Sequence, residues 1–326
     1  MKFHGCVKAI GFTRFGDPDV LRELDLPDTG AGPGQIRVQV QYSGVNPSDT
    51  LTRSGWSKPV FEGLGRVYPD PPYVPGWDFY GRVNQIGSGT DTDLAVGDAV
   101  IGLPLDTKAD VGAYGEYVVT VADSVVRAPR DVEPAAAGSF LMNATTAYAA
   151  LHDLALAAGA TIAVTGAAGA VGIFVIQLAT RAGLRVIADA KDSDVSRVRA
   201  AGADVIVARG AGVADRIRAE VPGGVNAVID CALVGESILP AIRDGGAIAT
   251  LRLYRGDVER GIRWILVHVS EFSANHEVLE ELRDLLDRGV LTTAVAKVLP
   301  ATAGHAAEAH RLVEAGGLRG RIVLKW

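Results

Sequence analysis

Three glycines, Gly166, Gly169 and Gly172, recur at intervals of three in the run Val164-Thr165-Gly166-Ala167-Ala168-Gly169-Ala170-Val171-Gly172. The run lies between a short apolar stretch, Thr161–Thr165, and a helical pattern, Val171–Ala182, which is the setting in which a glycine turn holds phosphate. That chemistry asks for little side chain. Backbone N–H groups and a helix N-terminus must approach a pyrophosphate closely, so the candidate binding set is Gly166, Ala168, Gly169, Ala170 and Val171. Gly172 would let the helix pack tightly on the strand. The usual fingerprint is G-x-G-x-x-G; here Ala167 takes the place of its first glycine, with Gly166 just before it. The same small residues would also serve a bare strand–helix turn that bound nothing.

The kind of dinucleotide turns on charge at the end of the next strand, Arg185–Ala190. An acidic residue there, roughly 20 residues past the loop, accepts from the ribose 2′-hydroxyl of NAD, whereas a base nearby accommodates the 2′-phosphate of NADP. The tip reads Ala188-Asp189-Ala190-Lys191-Asp192, and Arg209 stands in the equivalent place after the third strand. Asp189 is one residue short of the tip or faces away, so Lys191 and Arg209 point to NADP(H), with Arg197 a weaker third cation. The alternative leaves Lys191 and Arg209 as solvated loop charges and gives Asp189 the choice of NAD.

These residues need a scaffold, and the sequence supplies one. Strands at Thr161–Thr165, Arg185–Ala190, Val205–Ala208, Ala227–Cys231 and Ala247–Leu251 alternate with helices at Val171–Ala182, Val195–Ala201, Val213–Glu220 and Ser237–Arg243. Nearly continuous apolar strands alternating with helices predict a doubly wound parallel sheet. The first third reads instead as turn-rich β-structure: Ile36, Val38, Val40 and Tyr42 alternate with Arg37, Gln39 and Gln41. Further strands are expected at Gly81–Ile86, Ala99–Gly102 and Tyr117–Thr120, after a long Pro- and Gly-rich loop from Gly55 to Gly76. The last 65 residues show one strong helix, Glu277–Arg288, and end in Arg321–Leu324, a strand placed to rejoin the first β-domain.

With 326 residues, the chain has room for two cores, and 48% hydrophobic with 21% charged residues is globular composition. A net charge of −6 offers no general attraction to nucleic acid or anionic lipid. Cys6 and Cys231 are too few and too far apart for a disulfide framework. The N-terminal residues, interrupted by His4 and Lys8, show no signal-peptide pattern, and no apolar run approaches the ~18 residues of a membrane span, so the expected place is the cytoplasm.

Motifs in a fixed order carry a family resemblance: Gly44-Val45-Asn46-Pro47-Ser48-Asp49, Pro75-Gly76-Trp77-Asp78-Phe79-Tyr80-Gly81, Gly97-Asp98-Ala99-Val100, Gly112–Val118, Thr145-Thr146-Ala147-Tyr148, the glycine turn, Gly202-Ala203-Asp204 and Gly320–Leu324. With these the chain resembles the zinc-independent quinone oxidoreductases of the medium-chain dehydrogenase/reductase superfamily, the group that includes zeta-crystallin. The resemblance implies a Rossmann nucleotide domain inserted in a GroES-like β-rich catalytic domain, with expected boundaries at 1–130, 131–262 and 263–326. Zinc-dependent relatives carry a cysteine where Asn46 stands and a His-Glu pair where Trp77-Asp78 stands, and they have a four-cysteine lobe that this chain lacks. The expectation is therefore an enzyme without metal.

Without a Lewis acid, the acceptors that remain reactive are quinones and carbonyl-conjugated alkenes, which form a delocalised oxyanion on taking up hydride. The protein's part is orientation and hydrogen bonding. The resemblance places Asn46 at the nicotinamide–substrate region, as the candidate catalytic and cofactor-contacting amide, and Thr146 beside the nicotinamide. Asn-Pro also starts turns, and a helical threonine also bonds its own backbone. Asp49 reads as a capping residue, and His268 as structural or interfacial. Relatives often carry a tyrosine at the position of Leu51, so a proton donor used by some of them is missing here. Trp56, Phe61, Tyr68 and Tyr73 either shape a pocket for a flat substrate or pack the loop onto the β-domain.

The expected function is hydride transfer from NADPH to a quinone or other conjugated carbonyl. An enone or enoyl reductase of a biosynthetic pathway is the alternative, and a non-catalytic NADPH-binding protein is the reading from another class. The expected partners are a small molecule and a second copy of the chain, with no nucleic acid or membrane. Ile265–Val269 is the apolar run suited to a dimer-edge strand.

Overall fold

The computed structural model describes residues 5–63, 65, 68–105, 112–252 and 254–326; the Phe61 side chain lies outside the described residues. In chain order the elements are β1 (Cys6–Gly11), β2 (Arg22–Pro27), β3 (Gln35–Val45), α1 (Pro47–Ser54), α2 (Ser57–Gly63), β4 (Phe79–Ile86), β5 (Ala99–Gly102), β6 (Tyr117–Val121), β7 (Val125–Arg127), α3 (Pro134–Ala137) and α4 (Leu141–Leu154). There follow β8 (Thr161–Thr165), α5 (Ala170–Arg181), β9 (Arg185–Ala190), α6 (Val195–Ala200), β10 (Val205–Ala208), α7 (Val213–Glu220), β11 (Val225–Asp230), β12 (Ile242–Thr250) and β13 (Arg263–Leu266). The chain closes with α8 (His276–Asp287), β14 (Val295–Pro300), α9 (Ala303–Ala315) and β15 (Arg321–Lys325). It divides into two units: residues 1–142, 270–289 and 293–326, and residues 143–269 with 290–292.

The first unit is built on a sheet ordered β14-β15-β3-β4-β5-β7, with β6 also on β3. β3 is long enough to serve two partners along one edge: Gln35–Gln39 pair with β6, and Tyr42–Val45 pair with β15. The C-terminal strand thus joins the sheet begun by β3, while β1 and β2 pair as a separate two-stranded sheet. Ile36, Val38 and Val40 face a core with Phe79, Val100 and Val118, as the alternation requires. Arg37 breaks the pattern. It is buried, paired with Asp28 at 2.5 Å and laid over the Tyr117 ring at 3.5 Å.

The second unit is a parallel sheet ordered β10-β9-β8-β11-β12-β13, the arrangement in which strand order reverses beside the first strand. Its core gathers Ala163, Ile187, Val228 and Ile248 from the strands with Val213, Ile217 and Ile238 from the covering segments. The expected helix over Ser237–Arg243 does not form. Gly235–Ala241 is a 3-10 turn containing Pro240, which cannot donate to a helix ladder, and Ile242–Arg243 already belong to β12. The expected edge strand Ile265–Val269 is shifted to Arg263–Leu266. α9 was not foreseen; its alanine-rich sequence gives little contrast between faces.

Candidate functional site

In the second unit, β8 runs into the glycine turn and α5 leaves it. Gly166 has φ +63°, in the left-handed region, and a Cβ there would meet the Ala232 nitrogen and the Cys231 backbone at 3.0 Å. A Cβ on Gly172 would stand 2.5 Å from the Gly166 carbonyl oxygen and 2.7 Å from Ala167 Cα. Packing within the protein therefore demands these two glycines, ligand or none. Gly169 differs: it is the N-cap of α5 with ordinary extended backbone, and its Cβ would find only the Gly166 oxygen, at 3.1 Å.

No side chain caps α5. The first-turn N–H groups of a helix have no partner within it, and here Gly169, Ala170 and Val171 around them are half-exposed, while Ala168 is buried. An uncapped helix start of this kind, with the dipole's positive end beside it, fits a pyrophosphate.

Two buried carboxylates fix the turn from the strands on either side. Asp189 of β9 accepts the Ala167 N–H at 3.1 Å, and Asp230 of β11 accepts the Thr165 hydroxyl at 2.6 Å. Asp230 also accepts the Val234 and Gly235 amides at 3.0 and 2.8 Å, which shapes the next loop. Burial raises the Asp189 pKa, opposed by the amide it accepts and by Arg209.

Lys191 and Arg209 come together at the sheet's end. β9 and β10 run parallel with Ala190 opposite Ala208, so each cation is the next residue of neighbouring strands, and both are exposed. The Arg209 amide continues the ladder to the Ala190 oxygen at 2.9 Å. Arg216 braces this corner by donating to the Ala208 oxygen at 2.8 Å and the Gly210 oxygen at 3.2 Å. In the sequence nothing marks Arg216 beyond its place in the helical run Val213–Glu220. Arg197 lies half-buried on α6, and Thr146 lies buried on α4.

In the first unit, Asn46 joins β3 to α1 and is buried. Its Nδ2 donates to Asp78 Oδ1 at 2.9 Å, and its backbone N–H donates to Asp49 Oδ2 at 2.7 Å. Asp49 caps α1 in this way and also takes the Gly76 amide at 2.8 Å. Gly44 is required here, because a Cβ would stand 2.3 Å from Asp78 Oδ1. Burial pushes the Asp49 pKa up to about 8 and that of Asp78 up to about 6. The buried Arg321 guanidinium draws both back down, while its own pKa is lowered by burial to about 10. Beside them, His310 is buried and pushed down to about 3 by desolvation and then by Arg53. In the sequence Asp78 is marked only as standing, by the family resemblance, where zinc-dependent relatives carry a glutamate; its hold on Asn46 depends on β3 and β4 pairing.

Of the loop aromatics, Tyr73 stacks on Phe15 at 5.2 Å between centroids, and the Tyr68 hydroxyl meets Ser57 Oγ at 3.1 Å. Both belong to the core of the first unit, which is the packing alternative, while Trp56 is exposed. Leu51 is half-buried on α1, and His268 follows β13 half-buried.

The alcohol dehydrogenase GroES-like domain family matches residues 32–130, and the zinc-binding dehydrogenase family matches residues 182–324. A 2-methylene-furan-3-one reductase of Solanum lycopersicum is 26% identical over 326 residues, 98% of this chain and 79% of its own length. A quinone oxidoreductase of Sus scrofa is 26% identical over 337 residues, covering 98% of this chain and 97% of its own. Among solved structures, a mycobacterial protein complexed with NADPH is 29% identical, with a TM-score of 0.83 over 98% of this chain and 100% of that one. With both domain families matched and relatives aligned end to end, the chain belongs to the medium-chain dehydrogenase/reductase superfamily, among its quinone-oxidoreductase-like enzymes.

Proposed function

We propose that the chain is an NADPH-dependent, zinc-independent oxidoreductase that reduces a quinone or another conjugated carbonyl acceptor. The observation that carries this reading is the uncapped start of α5 behind Gly169, with Lys191 and Arg209 at adjacent strand ends. The first would hold the pyrophosphate, and the second pair the 2′-phosphate. The bound dihydronicotinamide supplies the hydride. Thr146 would stand beside that ring, and the Asn46 amide, fixed by Asp78, would orient the acceptor. The NADPH complex of the mycobacterial relative supports this choice of cofactor.

Zinc independence is supported by the residues that stand at the metal-ligand positions of zinc-dependent relatives. Asn46 stands in place of the thiolate and Trp77 in place of the imidazole, while Asp78, in place of the glutamate, accepts from the Asn46 amide. A quinone or enone suits such a site because its conjugation already stabilises the oxyanion. The tomato relative's name favours a second reading within the same chemistry, reduction of an enone.

No helix among the described residues is long and apolar enough to cross a membrane. With the acidic balance, this supports a cytoplasmic enzyme acting on small molecules rather than nucleic acid. The open edge of β13 supports a homodimer. Replacing Lys191 and Arg209 together by alanine tests the cofactor assignment. The Michaelis constant for NADPH should rise by about tenfold or more, as expected on losing charge-assisted bonds of ~1.5–3 kcal/mol, with that for NADH little changed. Equal effects on both would overturn it.

A further inference from the structure

Asp189 stands one residue before the tip of β9, the strand end at which a dinucleotide's adenosine ribose is commonly read, and its position in the structure gives it different work. β8 lies between β9 and β11 in the sheet. Ala188 of β9 is in register with Val164 of β8, so Asp189 stands beside the strand's exit into the glycine turn. Its side chain is 2% exposed, and its carboxylate accepts the Ala167 N–H at 3.1 Å and draws on the Gly166 amide as well. At the strand's tip stands Ala190, whose methyl accepts nothing, and the next side chain is the Lys191 cation.

We propose that Asp189 is a positioning residue for the dinucleotide's pyrophosphate, holding the glycine turn through Ala167, and takes no part in reading the ribose 2′ position. The inference rests on the dinucleotide reading of the glycine turn. Its physical basis is the left-handed Gly166. That residue reverses the chain directly after β8, and without a partner the Ala167 amide would be a buried, unsatisfied donor. With Asp189 in place that amide is turned inward, and the start of α5, from Gly169 onward, is left facing outward. The anchor has a counterpart across β8, where Asp230 holds Thr165. The turn is thus held from both neighbouring strands: Asp230 bonds the side chain of Thr165, and Asp189 bonds the turn's backbone at Ala167.

The test compares wild type, Asp189→Ala and Asp189→Asn as full-length protein, with NADPH and NADH dissociation constants measured by calorimetric titration and stability followed by thermal unfolding. The positioning role predicts that Asp189→Ala weakens both cofactors by the same factor, on the order of tenfold, so the NADPH/NADH ratio is unchanged. Asparagine retains an acceptor for Ala167, so Asp189→Asn should recover most of that loss. A residue that read the 2′ position would behave otherwise: its removal would weaken NADH and strengthen NADPH, and a moved ratio overturns the proposal. A lower melting temperature with both constants unchanged would also overturn it, because the role would then be structural only. If the alanine variant fails to fold, the asparagine ratio decides. Should wild type bind neither cofactor, the dinucleotide reading itself fails, which is a separate outcome.

Discussion

Asn46 Nδ2 donates to Asp78 Oδ1 at 2.9 Å, with both side chains buried and Asp49 holding the Asn46 backbone from the other side. The amide that the family resemblance assigns to substrate contact is therefore held rigidly by carboxylates, in a part of the fold where Gly44 leaves room for one of them.

If Asp78 acts through Asn46, the two should be non-additive. Asn46→Ala is expected to lower kcat by about tenfold or more, the scale of losing one well-placed hydrogen-bonding group. Asp78→Ala should lower it to a similar level, with the double variant little worse. Asp78→Ala also removes an anion that faces the buried Arg321, at a cost of ~1–3 kcal/mol in denaturant unfolding. Additive losses in kcat would separate the two residues.

The buried Asp49 predicts a pH dependence of stability. Its folded value, about 8, lies above its ordinary 3.8, so between these the native state holds a proton that the unfolded chain has released. Its contribution to stability is complete below about pH 4 and is lost as pH rises through 8. Asp49→Asn removes this titration. Wild type should lose stability relative to the variant from pH 5 to pH 8 in unfolding curves, and parallel curves would refute it. His310 works in the opposite direction at lower pH: with a folded value near 3 it favours the native state as pH rises through its unfolded range, in both proteins alike.

The three glycines separate folding from binding. Gly172→Ala drives a Cβ to 2.5 Å from the Gly166 oxygen and should cost ~1–3 kcal/mol of stability, as overpacking does. Gly169→Ala meets only one atom at 3.1 Å and should change stability little, yet weaken NADPH binding by about tenfold through its methyl at the helix start. Calorimetric titration and thermal unfolding on both variants check the separation; a Gly169→Ala protein that binds normally would contradict it.

Much of this arrangement was legible in the sequence. Apolar strands with short connections gave β8, β9 and β10 at their observed bounds, because local pattern and burial on both faces agree there. Lys191 and Arg209 could be paired in advance, since parallel neighbouring strands must end side by side. What stayed hidden depended on contacts between distant residues. The roles of Asp189, Asp230 and Asp78 follow from strand register, whereas the capping role of Asp49 at the start of α1 was legible from Asn46, Pro47 and Asp49 alone. The segment Ser237–Arg243 looked helical by pattern, and Pro240 decided against it.

The edge strand offers a check on assembly. β13 is paired only with β12 among the described residues, and an open parallel edge beside Val267 invites a second copy. Light scattering at micromolar concentration should give twice the 34.0 kDa chain mass. An Ile265→Asp variant, at a half-exposed position of β13, should shift it towards monomer, and a monomeric wild type would exclude the pairing.

The most direct measurement is consumption of NADPH, followed by its absorbance, across a panel of quinones, enones and enoyl thioesters, repeated with NADH and after exhaustive treatment with a chelator. Steady turnover of at least one conjugated carbonyl with NADPH, slower with NADH and unchanged by the chelator, is the predicted result. Tight NADPH binding with no turnover on any acceptor, or activity that the chelator abolishes and zinc restores, would contradict it.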